Sequence, residues 1–272
     1  MTFLQGLILG AIQGVTEWLP VSSEGISSLI LINVFHMPLY EAVSLALWLH
    51  LGTLIAAIYY FRQELVTIIR YFPIYIRNVR HSNITPEVNL ITFLIIATLT
   101  SAVIGIPLFL LGLNKIQFSG STATAIIGLF LILTGIVQKC ALRGKKVVDK
   151  AVSMKDCLLV GVIQAFSVLP GISRSGLTVS VFLFRRYNGE QTLKLSFLLS
   201  IPVVLVAVVG LSLIGDVNFN SGAVSGVLSS ALVGFLTIKG LMKFAMKVPF
   251  WGICIFLGLL SLVPWLLTLQ VG

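Results

Sequence analysis

Six apolar stretches, each close to or beyond the length needed to cross a bilayer, dominate the sequence. They lie at about 42–61, 90–112, 120–138, 195–214, 223–238 and 250–270. A transmembrane helix needs about 20 predominantly apolar residues, so 120–138 and 223–238 are near the short limit. Only 10% of the 272 residues are charged, whereas soluble domains average about 25%. The sequence therefore excludes a soluble globular enzyme and predicts an all-α integral membrane protein with six transmembrane helices.

Two further apolar regions are interrupted by polar residues. Region 2–35 is broken at Pro20 and a Ser/Glu/Gly cluster, and region 157–184 is broken at Pro170, Gly171 and a Ser/Arg/Gly cluster. Each region is typical of a helix, a polar kink and a second helix. Non-helical backbone at membrane depth is tolerated only where protein or a water-filled cavity surrounds it. We therefore predict two re-entrant helical hairpins.

The two broken regions also resemble each other. Each contains a Gln, then Leu-Pro, then a Ser-rich turn that ends in Gly. The matching residues are Gln13, Leu19-Pro20 and Gly25 in the first region, and Gln164, Leu169-Pro170 and Gly176 in the second. This similarity predicts that the chain contains an internal repeat.

Positive charge is concentrated in four of the connections between apolar segments. These connections are 62–89, 139–156, 185–194 and 239–249. Because positively charged connections stay in the cytoplasm, the chain starts outside and its halves contain the same elements in opposite orientations. We therefore predict a single membrane domain, 1–272, built as an inverted-topology repeat with halves at about 1–150 and 151–272. The charge indicates contact with lipid headgroups and not with nucleic acid, because an exposed basic face with aromatic residues is missing.

Four ionisable residues lie inside apolar segments, where each costs about 2.5–3.5 kcal/mol on insertion scales. They are Glu17, Glu24, His50 and Arg174. Three of the four belong to the two broken regions. Because such residues are rarely retained without a purpose, we treat all four as candidates for the functional site.

Arg174 lies in a turn rich in hydroxyl groups. Its neighbours in the turn are Ser173, Ser175 and Thr178. A guanidinium carries a permanent charge and a fork of donors that suits phosphate oxygens, and a helix that begins near Ser175 would direct its first amides at the same anion. This pattern predicts a phosphate cradle. The alternative is a structural Arg174 paired with a carboxylate, for which Glu17 is the candidate.

Glu17 follows Gln13 by four residues, so the two side chains share one helix face. A carboxylate that faces the Arg174 turn could bind a divalent metal ion or act as an acid or base. Glu24 could be a base, a metal ligand or merely a carboxylate at the outer mouth of the site.

Ser22 and Ser23 are candidate nucleophiles, and a hydroxyl nucleophile needs a nearby base. Serine in a turn is also a frequent helix cap, so we expect one of the two to act only as a cap. His50 is a single histidine in an apolar span, where it either is a satisfied core residue or lines the site.

Two segments resemble the motifs of a known family. Residues 13–25, Gln-Gly-Val-Thr-Glu-Trp-Leu-Pro-Val-Ser-Ser-Glu-Gly, are similar to the first motif of the undecaprenyl-diphosphate phosphatase family, also known as the bacitracin-resistance phosphatase. Residues 170–178, Pro-Gly-Ile-Ser-Arg-Ser-Gly-Leu-Thr, match the family's second motif throughout. Chain length and motif placement are similar too, so the resemblance covers essentially the whole chain.

The resemblance implies an activity and a site. Members of the family remove the terminal phosphate of a polyprenyl diphosphate, and the monophosphate carrier is reused in envelope polysaccharide and glycan assembly. They need a divalent cation, usually Mg²⁺ or Ca²⁺, and the active site opens to the outer face of the cell membrane. The resemblance implies that the acidic motif supplies Gln13 and Glu17 and that the serine pair supplies Ser23. The residues implied to hold the diphosphate are Ser173, Arg174 and Thr178.

One departure from the family pattern affects the mechanism. The first motif usually ends in Ser-Ser-Thr-Gly-His, whereas here Glu24 replaces the threonine and Ile26 replaces the histidine. A histidine-based mechanism therefore does not carry over, so either Glu24, Glu17 or His50 substitutes for the histidine or the activity is lost. Archaeal members are similar at this turn, so the sequence resembles an archaeal-type member, whose carrier could be a dolichyl-type lipid.

Together these observations predict a membrane phosphatase that hydrolyses an undecaprenyl- or dolichyl-type diphosphate. Arg174 and Ser23 would be catalytic with Glu17, which also would hold the Mg²⁺ or Ca²⁺, and Glu24 and His50 are the candidate bases. The residues expected to bind the substrate are Gln13, Ser22, Ser173, Arg174, Ser175 and Thr178. The alternative function is a flippase of the polyprenyl monophosphate carrier, because inverted repeats are common in transporters. A homodimer is left open.

Overall fold

A computed structural model describes residues 1–78, 85–112, 118–142, 150–214, 220–245 and 247–271. Within these residues the secondary structure is helical throughout, with eleven α-helices and one short 3-10 turn. The helices are α1 (Phe3–Thr16), α2 (Ser23–Asn33), α3 (Leu39–Tyr60), α4 (Arg62–Asn78), α5 (Pro86–Gly112), α6 (Gly120–Ala141), α7 (Met154–Ala165), α8 (Arg174–Phe184), α9 (Gly189–Ile214), α10 (Ser221–Ala245) and α11 (Trp251–Val271).

Six of these helices are long and apolar enough to cross a membrane, which confirms the predicted number of spans. Their membrane-compatible parts are Leu39–Tyr60, Pro86–Leu110, Gly120–Ala141, Gly189–Ser212, Ser221–Ala245 and Trp251–Thr268. The two stretches that looked short in the sequence belong to α6 and α10, which have 22 and 25 residues. The protein is therefore a multi-pass helical membrane protein.

Helix α4 is an element that the hydropathy pattern does not predict. It occupies the first part of the connection 62–89, where Arg62, Arg70 and Arg77 lower the mean hydropathy. The helix is amphipathic, and apolar side chains such as Ile69 are exposed along it. Apolar residues at helical spacing beside cationic ones are typical of a helix that lies in the membrane interface.

The two broken regions each form a pair of short helices, α1 with α2 and α7 with α8. In the first pair, Ser22 begins α2 as an N-cap with left-handed backbone angles, φ 62° and ψ 77°. In the second pair, a 3-10 turn at Phe166–Val168 is followed by Gly171 with φ 100° and by the N-cap Ser173. The sequence therefore breaks each region where its Pro, Gly and Ser residues indicated.

Helix α1 packs mainly against α10, with smaller contacts to α2 and α3. The helices approach so closely that a Cβ atom on Gly6 would lie 2.0 Å from the carbonyl oxygen of Gly222. Ser225 Oγ donates a hydrogen bond of 2.8 Å to the carbonyl oxygen of Phe3. In the same way α7 packs against α5, while α6 packs against α11.

Helix α6 holds the two breaks side by side. Gln138 Nε2 donates to the carbonyl oxygen of Pro20 in the first break at 2.5 Å. One turn earlier, Thr134 Oγ1 lies 3.4 Å from the carbonyl oxygen of Gly171 and accepts from the backbone N–H of Ser173 at 3.2 Å. A single transmembrane helix thus fixes the relative position of both polar turns.

Candidate active site

The two polar turns meet, and the helices that follow them begin at the same place. A Cβ atom on Gly25 would lie only 2.9 Å from Gly171 Cα. The Ser22 hydroxyl accepts from the backbone N–H of Gly25 at 3.2 Å, and the Ser173 hydroxyl accepts from that of Gly176 at 3.0 Å. Because a helix N-terminus carries a partial positive charge, two of them in one place favour an anion.

Glu17 lies at the centre of this place, buried at 5% exposure. Its Oε2 atom accepts hydrogen bonds from Ser23 Oγ at 2.6 Å and from Gln13 Nε2 at 3.1 Å. Its Oε1 atom accepts from Arg174 Nη2 at 2.6 Å. A buried carboxylate is stable only when its charge is paired, so this contact explains how Glu17 is accommodated at membrane depth.

His50 of α3 joins the same cluster, although it lies far along the chain. Its Nε2 atom is 3.2 Å from Glu17 Oε2 and 3.4 Å from Ser23 Oγ. Its Nδ1 atom is 2.8 Å from the carbonyl oxygen of Ala46. Both ring nitrogens therefore face acceptors, and a protonated ring donates to the carbonyl and the carboxylate at once. His50 therefore lines the site and is not only a core residue.

Arg174 connects the second turn to the first. Besides its bond to Glu17, its Nη1 atom lies 3.4 Å from the carbonyl oxygen of Ser196 in α9. A guanidinium has five N–H donors, and these two contacts leave others for a ligand. Its side chain is 12% exposed, and it lines the cavity between the turns.

The predicted site residues divide into those that line this cavity and those that lie behind it. The lining consists of Glu17, Ser22, Ser23, Glu24, His50, Ser167, Ile172, Ser173, Arg174 and Ser175. Gln13 and Thr178 are fully buried and lie outside this lining. Thr178 Oγ1 donates to the carbonyl oxygen of Arg174 at 3.0 Å and lies 2.6 Å from Ser196 Oγ. Its contacts position the arginine turn.

Two serines that line or support the cavity are absent from the sequence-based set. Ser167 lies in the 3-10 turn of the second break and lines the cavity. Ser196 supports both Arg174 and Thr178 from within an apolar span. Ser167 shares its broken region with the predicted residues, which is a usable signal, whereas serines are common in apolar helices and nothing in the sequence singles out Ser196.

Glu24 is buried like Glu17, at 8% exposure, but its surroundings differ. Its Oε1 atom has no hydrogen-bond partner among the described residues. Within those residues, no group of three or more His, Cys, Asp or Glu side chains is arranged to hold a metal ion. Mg²⁺ is usually bound by one or two carboxylates together with substrate phosphates and water. The site therefore fits a divalent cation that a phosphate ligand helps to hold, with Glu24 as the carboxylate whose oxygen is free.

Ile26, which replaces the histidine of the family motif, does not face the cavity. It packs with Val21, Phe250 and Cys254 in a separate apolar cluster. The imidazole of the cavity is instead supplied by His50. Loss of the motif histidine therefore leaves the cavity with a histidine from another helix.

A second ion pair, between a buried carboxylate and an exposed arginine, lies at the start of α7, away from the cavity. Arg185 Nε contacts Asp156 Oδ1, and Tyr187 Oη and Ser153 Oγ donate to Asp156 Oδ2 at 2.8 and 2.7 Å. Burial raises the pKa of Asp156, but these hydrogen bonds outweigh it and hold the pKa below its usual range. The pair ties the end of α8 to the start of α7.

The fold and the site together define the class of protein. It is a helical multi-pass membrane protein in which a buried carboxylate, an arginine and a serine meet between two helix N-termini. The family model for bacitracin resistance protein BacA matches residues 6–263. The chain therefore belongs to the BacA family, which confirms the resemblance seen in its two motifs.

Several curated relatives, each named undecaprenyl-diphosphatase, are similar over nearly the full length. The protein from Methanococcoides burtonii is 41% identical over 263 residues, covering 97% of this chain and 98% of the relative. The protein from Haloarcula marismortui is 39% identical over 272 residues, with the same coverage. The protein from Methanothrix thermoacetophila is 37% identical over 265 residues, covering 96% of each chain.

Proposed function

We propose that this protein is an integral membrane phosphatase that hydrolyses a polyprenyl diphosphate to the polyprenyl monophosphate and inorganic phosphate. The observation that carries the proposal is the cluster of Glu17, Ser23 and Arg174 between two helix N-termini. Membership of the BacA family and the names of the relatives point to the same reaction. Undecaprenyl and dolichyl diphosphates are the two substrate types we propose.

Ser23 is the proposed nucleophile. Its hydroxyl already donates to Glu17 Oε2 at 2.6 Å, so the carboxylate is placed to take the proton as Ser23 Oγ attacks the terminal phosphorus. The bond between that phosphorus and the bridging oxygen breaks, and the polyprenyl monophosphate leaves with the electron pair. Water then hydrolyses the phosphoserine to release inorganic phosphate. Direct attack by water is the alternative.

Arg174 is proposed to bind the diphosphate together with the hydroxyl groups of Ser22, Ser173 and Ser175, which line the same cavity. Phosphoryl transfer depends mainly on positioning and on stabilising charge on the phosphate oxygens. A guanidinium beside two helix N-termini supplies both. Gln13 and Thr178 are proposed to assist through the bonds that hold Glu17 and the Arg174 turn.

The distances favour Glu17 as the base for Ser23, since Glu17 Oε2 is closer to the hydroxyl than His50 Nε2, at 2.6 against 3.4 Å. His50 is proposed to orient the carboxylate and to balance its charge. Glu24 makes no such contact with Ser23. Its unpartnered oxygen supports a role as a metal ligand and not as the base.

A divalent cation, Mg²⁺ or Ca²⁺, is proposed as cofactor, and when bound it neutralises charge on the diphosphate. Both oxygens of Glu17 are engaged, by Arg174 on one side and by Ser23, His50 and Gln13 on the other. The unpartnered Glu24 Oε1 therefore supports Glu24 as a ligand. Glu17 can join it only by giving up one of its present partners.

The two halves are proposed to be inverted repeats within one membrane domain, about 1–150 and 151–272. The packing supports this, because exchanging the halves exchanges equivalent pairs. Helix α1 packs on α10 as α7 packs on α5, and α3 packs on α10 as α9 packs on α5. With the cationic connections inside, the re-entrant hairpin α1–α2 enters from the outside, which supports a cell-membrane enzyme whose site opens outward.

The flippase alternative is not favoured, because the relatives are named as diphosphatases. The deciding experiment measures phosphate release from undecaprenyl and dolichyl diphosphate by purified protein in detergent, with Mg²⁺ or Ca²⁺ and then with EDTA. Arg174→Ala is compared with Arg70→Ala, which removes an exposed arginine of α4. We expect release to be lost only in Arg174→Ala. A folded wild type that releases no phosphate from either lipid refutes the proposal.

A further inference from the structure

A second cavity is continuous with the candidate active site and extends between α5 and α9. The residues that line both cavities are Glu24, His50, Ser167 and Arg174. From these four residues the second cavity continues along α5 from Thr98 to Phe109 and along α9 from Val203 to Leu211. A ligand whose anionic group binds Arg174 can therefore extend directly into this groove.

The lining of the groove is mostly aliphatic. A polar edge, Thr98, Ser101 and Gln164, is followed by side chains such as Ile106 and Val206. No charged side chain lines it among the described residues apart from those that it shares with the active site. Beyond its polar edge, such a surface suits a hydrocarbon chain.

Small residues on both helices create the space. On α5 these are Ala102 and Gly105, and on α9 they are Ala207 and Gly210. A Cβ atom on Gly210 would have no other heavy atom within 4 Å. The Cβ position of this groove-lining residue therefore lies in open space, so a side chain can be introduced there to narrow the groove.

The position of Gly210 relative to the phosphate site can be counted along α9. The carbonyl oxygen of Ser196 contacts Arg174, and Gly210 follows about four helical turns later, which is ~21 Å at 1.5 Å per residue. A farnesyl tail of three isoprene units ends before this point, whereas an undecaprenyl tail of eleven units passes it.

We infer that the groove between α5 and α9 binds the isoprenoid tail of the substrate and that Gly210 determines whether a long tail is accepted. This inference rests on the proposed function, since it assigns the tail of the same diphosphate whose headgroup binds Arg174. The occupant follows from continuity with the headgroup site and from the aliphatic lining. Because a long tail that follows the groove from the headgroup site passes Gly210, a large side chain there obstructs long tails selectively.

The test compares wild type, Gly210→Trp and Gly240→Trp on undecaprenyl diphosphate and farnesyl diphosphate in detergent. Gly240 is the matched control, because it is an exposed helical glycine with nothing within 4 Å of its Cβ position, and it does not line the groove. We expect Gly210→Trp to lower kcat/KM for undecaprenyl diphosphate about tenfold or more, a loss in the range of pocket discrimination, with little change for farnesyl diphosphate. Gly240→Trp should change neither value.

Retained hydrolysis of the short substrate shows that the Trp variant is folded and that its headgroup site is intact. Equal losses on both substrates, or no loss on either, overturn the assignment of the groove. If wild type cleaves only the long substrate, a lower kcat/KM in Gly210→Trp but not in Gly240→Trp supports the assignment of the groove to the tail. Equal kcat/KM values in the two variants overturn that assignment. Failure of wild type on both substrates refutes the proposed function itself, which is a different result.

Discussion

Arg174 Nη2 lies 2.6 Å from Glu17 Oε1, although the two residues are 157 positions apart in the sequence. Each belongs to one of the two polar breaks, so the contact exists only when both halves of the protein are assembled. In the proposed complex, the diphosphate therefore shares Arg174 with a carboxylate. The five N–H donors of a guanidinium allow this sharing, because Glu17 uses only one edge of the group.

Replacing Ser23 and Ser22 one at a time distinguishes the role of the proposed nucleophile from that of its neighbour in the turn. We expect Ser23→Ala to lower phosphate release about 10³-fold or more, as removal of a nucleophile does. Ser22→Gly should lower it much less, because it removes only one proposed contact to the diphosphate, and glycine adopts the left-handed backbone of Ser22 without strain and replaces an N-cap at small cost. Steady-state hydrolysis in detergent measures both. Substantial activity in Ser23→Ala would instead favour water as the attacking group.

Replacing His50 tests whether its imidazole has the role of the histidine in the family's first motif. We expect His50→Gln to lower phosphate release about 10²-fold, because Glu17, the proposed base, loses a group that orients it, and this loss is at the lower end of acid–base contributions. Adding Ile26→His to this variant should not restore activity, because position 26 packs in the apolar cluster with Val21 and Phe250. The single and double variants are compared in the same assay. Recovery in the double variant would show that position 26 can reach the site.

Removing the charge of Glu24 should weaken metal binding. We expect Glu24→Gln to raise the Mg²⁺ concentration needed for half-maximal activity about tenfold or more. The Mg²⁺-dependent shift in Tm, measured with a non-hydrolysable diphosphate present, should shrink in parallel. Glu41→Gln is the control, since Glu41 is exposed at the start of α3. An unchanged Mg²⁺ requirement would leave Glu17 as the candidate ligand.

Gly171 should tolerate no side chain. Its φ of 100° is disfavoured for other residues, and a Cβ atom would lie 2.4 Å from the carbonyl oxygen of Ile127. We expect Gly171→Ala to cost about 1–3 kcal/mol of stability or more and to lower activity with it. Gly252→Ala, at a helical position with open space, should have little effect. Thermal unfolding in detergent compares the two, and equal Tm values would contradict the backbone geometry.

The Asp156 pair should stabilise the protein in a pH-dependent way. Asp156→Asn leaves donors of Arg185 and Tyr187 poorly satisfied, so we expect a loss of about 1–3 kcal/mol at pH 7. Because the folded-state pKa of Asp156 is lowered, its contribution is present above the unfolded value of about 3.9 and is lost as pH falls further. The Tm difference from wild type should therefore shrink below about pH 4. Glu190→Gln, an exposed carboxylate nearby, should show no such difference.

Hydropathy alone predicts the six spans, because a bilayer imposes length and apolarity on every crossing helix. The breaks are also predictable, since Pro20 and Gly171 mark them directly. Helix α4 is not, because its arginines lower the hydropathy of an amphipathic segment.

The membership of the site is predicted better than its geometry. The charged residues Glu17, His50 and Arg174 stand out because charge is costly in an apolar segment. Which side chains face the cavity depends on packing between distant helices, so the sequence does not reveal that Thr178 lies behind the Arg174 turn or that Ser196 supports it.

The packing of α1 against α10 has a consequence for biosynthesis. The hydrogen bond from Ser225 to Phe3 closes a separation of 222 residues, and Trp18 Nε1 donates to the carbonyl oxygen of Gly234 across 216. Helix α1 is therefore made long before α10, the helix against which it packs most extensively. Catalytic groups present early in translation must wait for late helices to hold them, so a chain truncated before α10 contains every residue of the site and lacks the support that assembles it.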